Sequence, residues 1–113
     1  MSIETNATVP GIGETWLADY GDDTPFGPFA SQLTFDSPTQ VSFEVVKGAL
    51  AGTKGTQEYA AVKVREGLYV LQWKETDGPF VTHIEDWAEG KVIGIILGDQ
   101  GFPQMTGTWT KVR

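Results

Sequence analysis

The sequence contains no cysteine. Disulfides, thiolate nucleophiles, iron–sulfur ligation and cysteine-held zinc are therefore excluded, and nothing ties the chain to an oxidising compartment. Histidine is nearly as scarce. His83 is the only one, which rules out a multi-histidine metal centre and a two-histidine mechanism. Basic residues are few, 8 Lys and Arg against 15 Asp and Glu, giving a formal net charge of -7. Nucleic-acid affinity rests largely on Lys and Arg displacing counterions, so no nucleic-acid partner is expected, and an anionic membrane surface would repel the chain. Every apolar run falls short of the roughly 20 residues that a membrane-crossing helix needs. Met1–Pro10 lacks the basic and apolar regions of a secretory signal, and a cytoplasmic location is expected.

Against these absences stand 113 residues with a 40% apolar share and 12% aromatics, enough for one modest core. We expect a flexible lead-in over residues 1–12 and a single domain over 13–113. A chain this short leaves much surface uncovered, which makes a homodimer a natural expectation.

After Ile12 the apolar residues keep no helical period for three turns. Short runs rich in Val, Ile, Thr and aromatics recur instead between Gly, Pro and Asp clusters, the pattern of antiparallel strands. The runs are Thr15–Tyr20, Ala30–Phe35, Gln40–Lys47, Thr56–Val64, Leu68–Glu75, Phe80–Trp87, Lys91–Leu97 and Met105–Lys111. Eight such strands predict an all-β fold, a small antiparallel up-and-down barrel. Alternation places Leu33 and Phe35, then Val41, Phe43 and Val45, then Tyr69, Leu71 and Trp73 each on one face. Turn chemistry at Asp36-Ser37-Pro38, Arg65-Glu66-Gly67 and Glu89-Gly90 makes consecutive strands neighbours. The glycine-rich stretch Gly48–Gly55 is expected to lie over one mouth as a lid.

The Asp77-Gly78 turn decides what faces inward. A two-residue turn pairs Glu75 with Phe80 and sends Thr82 and Ile84 to the face of Trp73. A loop longer by one pairs Glu75 with Val81 and brings His83 and Glu85 inside. The tryptophans Trp16, Trp73, Trp87 and Trp109 fall in four different strands, as core or as the walls of an aromatic pocket.

Glu75 shares a face with Trp73, and an aromatic beside a carboxyl can raise the acid into a range useful for proton transfer, unless the side chain is solvated at the rim. Histidine as a residue type ordinarily titrates near neutral pH, which makes His83 a candidate, although a lone strand histidine is more often structural. The acidic pairs Asp22-Asp23 and Glu85-Asp86 lack the ring of oxygen ligands a hard cation requires and read as solvated charge; no metal site is expected. No serine sits in a nucleophile elbow with a histidine, and no glycine pattern forms a phosphate loop.

The segments Val41–Gly52, Glu66–Glu75 and Val92–Ile96 together resemble the lipocalin-like barrel shared by MoaF-like proteins and phenolic acid decarboxylases, over roughly half the chain. The most specific piece is Gly67, Tyr69, Trp73 and Glu75 in the spacing G-x-Y-x-x-x-W-x-E. The resemblance implies a proton-handling role for Glu75, an inward Val81 and hence an inward His83. It also implies Tyr20 as the counterpart of one substrate-orienting tyrosine. The arginine that follows the Ala-Gly pair in the decarboxylases is Thr53 here, which together with the shorter C-terminus makes the MoaF-like proteins the nearer relatives.

Three functions follow as expectations. The first is a barrel holding a small hydrophobic or aromatic ligand among Tyr20, Tyr59, Tyr69, Trp73 and Val81, oriented by Glu75 and His83, with no cofactor. The second is a lyase or isomerase in which Glu75 and His83 are catalytic. The third is a non-catalytic interaction module with a filled interior.

Overall fold

The computed structural model describes residues 2–76, 78–99 and 101–113. Eight antiparallel strands follow one another around a closed barrel: β1 (Thr15–Asp19), β2 (Ala30–Phe35), β3 (Gln40–Lys47), β4 (Lys54–Arg65), β5 (Leu68–Lys74), β6 (Phe80–Asp86), β7 (Lys91–Leu97) and β8 (Gln104–Lys111). β8 returns to pair with β1, with Ala18 opposite Trp109, so no strand edge is left open. Among the described residues there is no helix.

Each expected strand is present. The largest difference is at the start of β4, which begins at Lys54, inside the glycine-rich stretch. Gly55 pairs opposite Phe43 in the ladder, where a Cβ would lie only 3.2 Å from the Phe43 ring. The turns at Glu66-Gly67 and at the end of the 87–90 connection use positive φ at Gly67 (79°) and Gly90 (70°), as tight hairpins demand.

The pairing of β5 with β6 settles which face His83 takes. Trp73 lies opposite Val81, Leu71 opposite His83 and Tyr69 opposite Glu85, while the Glu75 N–H bonds to the Pro79 carbonyl at 3.0 Å. Neither expected pairing of Glu75, with Phe80 or with Val81, occurs. The connection is nevertheless odd in length, so Val81, His83 and Glu85 all turn inward. Asp77, half of the expected turn, lies outside the described residues.

Antiparallel order sends the β1–β2, β3–β4, β5–β6 and β7–β8 connections to one end of the barrel and the remaining hairpins and both termini to the other. The second end is packed shut. Trp16, Trp87 and Trp109 meet there with ring centroids 4.5 to 5.4 Å apart, and Phe35 abuts two of them. The chain ahead of β1 contributes as well. The Ala7 N–H bonds to the Ala61 carbonyl at 2.9 Å, Val9 is buried, and Gly11 sits so tightly that a Cβ would come within 2.8 Å of the Trp87 ring.

Candidate functional site

The other end stays open onto a cavity of about 230 Å³. Its walls are the inward faces of β2, β3, β5, β6, β7 and β8, and its rim is formed by Phe26 and Phe29 before β2, Leu50 and Thr53 from the β3–β4 connection, and Pro79 before β6. The glycine-rich stretch thus lies over the mouth.

Of the residues singled out from the sequence, Tyr20, Trp73, Glu75, Val81 and His83 all line this cavity. Tyr59 and Tyr69 are buried but lie outside it. The Tyr59 hydroxyl donates to the Ser37 carbonyl at 2.9 Å, in the β2–β3 hairpin of the closed end. Burial, with Glu85 and Asp36 adding negative charge, pushes that hydroxyl up to about 12. Tyr69 pairs opposite Glu85, toward the same end. Alternation shows which residues face inward, but not their depth along the axis.

The floor is a hydrogen-bonded chain. Tyr20 Oη lies 2.8 Å from His83 Nε2, His83 Nδ1 lies 2.6 Å from Glu85 Oε2, and the Trp87 indole N–H donates to Glu85 Oε1 at 3.1 Å. Reading Glu85-Asp86 as solvated charge is overturned for Glu85, which is fully buried. Its signal was the i, i+2, i+4 series Val81, His83, Glu85, which sets all three on one face. Burial raises the Glu85 carboxyl above its ordinary range, against the opposing pull of His83 and Trp87. Burial, reinforced by Glu85, holds the Tyr20 hydroxyl far above the usual phenol range, so it stays protonated. Both ring nitrogens of His83 are engaged, so neither is free to meet a guest.

Two glycines seat Tyr20 in this floor. A Cβ at Gly94 would stand 2.7 Å from Tyr20 Oη, and one at Gly107 would stand 2.9 Å from its Cα. Among the described residues the only free acid in the wall is Glu75, half-buried and just past the end of β5. Desolvation raises its carboxyl, and the Trp73 indole works against the rise. That indole N–H is buried and makes no hydrogen bond of acceptable geometry, so its effect on Glu75 is one of proximity.

The raised Glu75 has a consequence for stability. A carboxyl that holds its proton more tightly folded than unfolded stabilises the fold below its ordinary value of 4.5, and that contribution is lost as pH rises through the higher folded value. Glu75→Gln is therefore expected to match the wild type in urea unfolding at about pH 4 and to exceed it at about pH 8. A variant no more stable at the higher pH would show that Glu75 is effectively solvated.

Comparisons with known proteins agree on the architecture. A family model described as MoaF-like matches residues 13–110. A crystal structure of a provisionally assigned beta-lactamase from Burkholderia vietnamiensis superposes with a TM-score of 0.81 at 22% identity, covering 94% of this chain and 99% of that one. At that identity the likeness concerns the fold. No curated protein matches the chain.

Proposed function

The chain belongs to the MoaF-like family, and from that premise we propose that its lipocalin-like barrel binds a small, largely apolar ligand carrying a single aromatic ring. The observation that carries this reading is the open cavity of about 230 Å³, walled mainly by apolar and aromatic side chains, with Glu75 as its free acid. An apolar cavity of roughly 150 Å³ is enough to take up benzene, so this one suits a substituted ring. Buried pockets of this kind bind through apolar contact and orient through a few polar groups. Glu75 and the unpartnered Trp73 N–H are those groups here.

The raised carboxyl of Glu75 favours a second reading, proton exchange with a bound aromatic by a lyase or isomerase. Turnover of hydroxycinnamates that Glu75→Gln abolishes would replace the first reading with this one. Lactam hydrolysis finds no support in the wall. It needs a serine beside a base or a cluster of metal ligands. Ser31 is the only serine there, its hydroxyl faces the Glu44 carbonyl at 3.4 Å, and no group of three metal-ligating side chains exists among the described residues.

A single ring offers few atoms, so dissociation constants on the order of 0.1–1 mM are expected. Titration with phenol or p-cresol followed by amide chemical shifts is expected to move Trp73, Val81 and Met105 while leaving Trp109 in place. Filling the cavity with Val81→Phe is expected to abolish those shifts without unfolding the barrel. Shifts that survive the filling, or an absence of binding across single-ring aromatics, would remove the proposal.

A further inference from the structure

The charges around the cavity narrow the ligand class. Among the described residues that line it none is Lys or Arg, Glu75 is the one unpaired ionisable group, and His83 is closed off by Tyr20 on one side and Glu85 on the other. A ligand carboxylate would find no cationic anchor there. It would share a low-dielectric space with Glu75 at the wall and Glu85 behind the floor.

Lys54, beside Thr53 of the rim, is not among the lining residues. Of the other lysines, Lys47 is bound to Asp22 at 2.9 Å and lies 3.6 Å from Asp19, and Lys74 sits over the Phe80 ring, 5.7 Å from its centroid. Both are already drawn to other groups.

The wall also carries several aromatic rings. Phe26 lies 5.7 Å from Phe29, which stacks on Tyr20 at 5.7 Å with an interplanar angle of 18°, and Phe43 and Trp73 add two more rings. Ring faces carry the negative end of the aromatic quadrupole and attract organic cations, most strongly where water is excluded. A carboxylate and several rings around a small enclosed space are what an ammonium group bound to an aromatic body requires.

We infer that the cavity takes a small aromatic amine, its ring among the apolar wall residues and its ammonium group paired with Glu75 and flanked by the rings at the mouth. This rests on the ligand-binding reading above and specifies the charge of the ligand.

Three probes of nearly equal size separate the two claims: phenethylamine, phenethyl alcohol and phenylacetate, titrated at neutral pH against the full chain and followed by amide shifts. Phenethylamine is expected to bind at least about tenfold more tightly than the alcohol, and phenylacetate to bind weakest. In Glu75→Gln the amine is expected to lose its advantage and fall to within about threefold of the alcohol titrated against the same variant. The alcohol or the acid binding as well as the amine in the wild type would overturn the inference and leave the binding reading standing. Amine shifts confined to the exposed Asp22-Asp23 segment, away from Trp73, Val81 and Met105, would overturn it too, as attraction to an acidic surface alone. Binding of none of the three would remove the ligand-binding reading and this inference with it.

Discussion

Glu85→Ala is expected to destabilise the barrel by about 3–5 kcal/mol, the sum of two lost hydrogen bonds at a buried site and the cavity that the side chain leaves. Glu85 is fully buried, and both of its oxygens are used, one by the Trp87 indole and one by His83. Alanine would strand the buried His83 Nδ1 and the part-buried Trp87 indole nitrogen and leave a void beside them. Glu85→Gln tests the cause. Its carbonyl can still accept from Trp87, and its amide can donate to His83 Nδ1, which leaves Nε2–H to donate to the Tyr20 hydroxyl. The glutamine variant is expected to stay within about 1 kcal/mol of the wild type at neutral pH. Urea unfolding of both variants decides the matter. An alanine variant within about 1 kcal/mol of the wild type would mean that water enters the floor and replaces the carboxylate.

The same residue marks where the sequence became hard to read. Strand alternation is a local property, so all eight strands could be located from it, and most boundaries fell within a residue or two. Gly55 hid the start of β4 because it carries no side chain to register in the pattern, although it pairs in the ladder under Phe43. Glu85 reads with Asp86 as a solvated pair for want of further cation ligands, although the longer-loop register sets it inside; neighbours in a strand point to opposite faces and need share no environment. Tyr20, Trp73, Glu75, Val81 and His83 converge on one cavity, whereas Tyr59 and Tyr69, grouped with them from the sequence, are buried outside it. Depth depends on how far each strand is staggered against the next, and that stagger is set by the closure of the whole cylinder. Phe26 and Phe29 were missed for a different reason. They lie in the connection between β1 and β2, where no periodicity exists to place them at the mouth.

The closure itself rests on Gly107. Gly107→Ala is expected to cost about 3 kcal/mol, the upper end of the usual penalty for overfilling a packed interior. The Cβ would stand 2.1 Å from the Asp19 carbonyl oxygen, 2.7 Å from its carbon and 2.9 Å from the Tyr20 Cα. All three are backbone atoms, so no side chain can rotate away, and the strain falls on the β1–β8 seam where Asp19 pairs with Thr108. Gly94→Ala provides the contrast. Its Cβ would meet the Tyr20 hydroxyl at 2.7 Å and touches no backbone of the seam, so a smaller loss of about 1–2 kcal/mol is expected. The two variants share a spectroscopic effect, since each displaces Tyr20 from His83 and should shift the His83 ring resonances. They differ in amide exchange, which is expected to rise across β1 and β8 in Gly107→Ala alone. If Gly107→Ala were as stable as the wild type, or left the His83 resonances unmoved, the seam would have to be looser than these distances allow. Tyr20 could then not be held in place by the closure of the barrel.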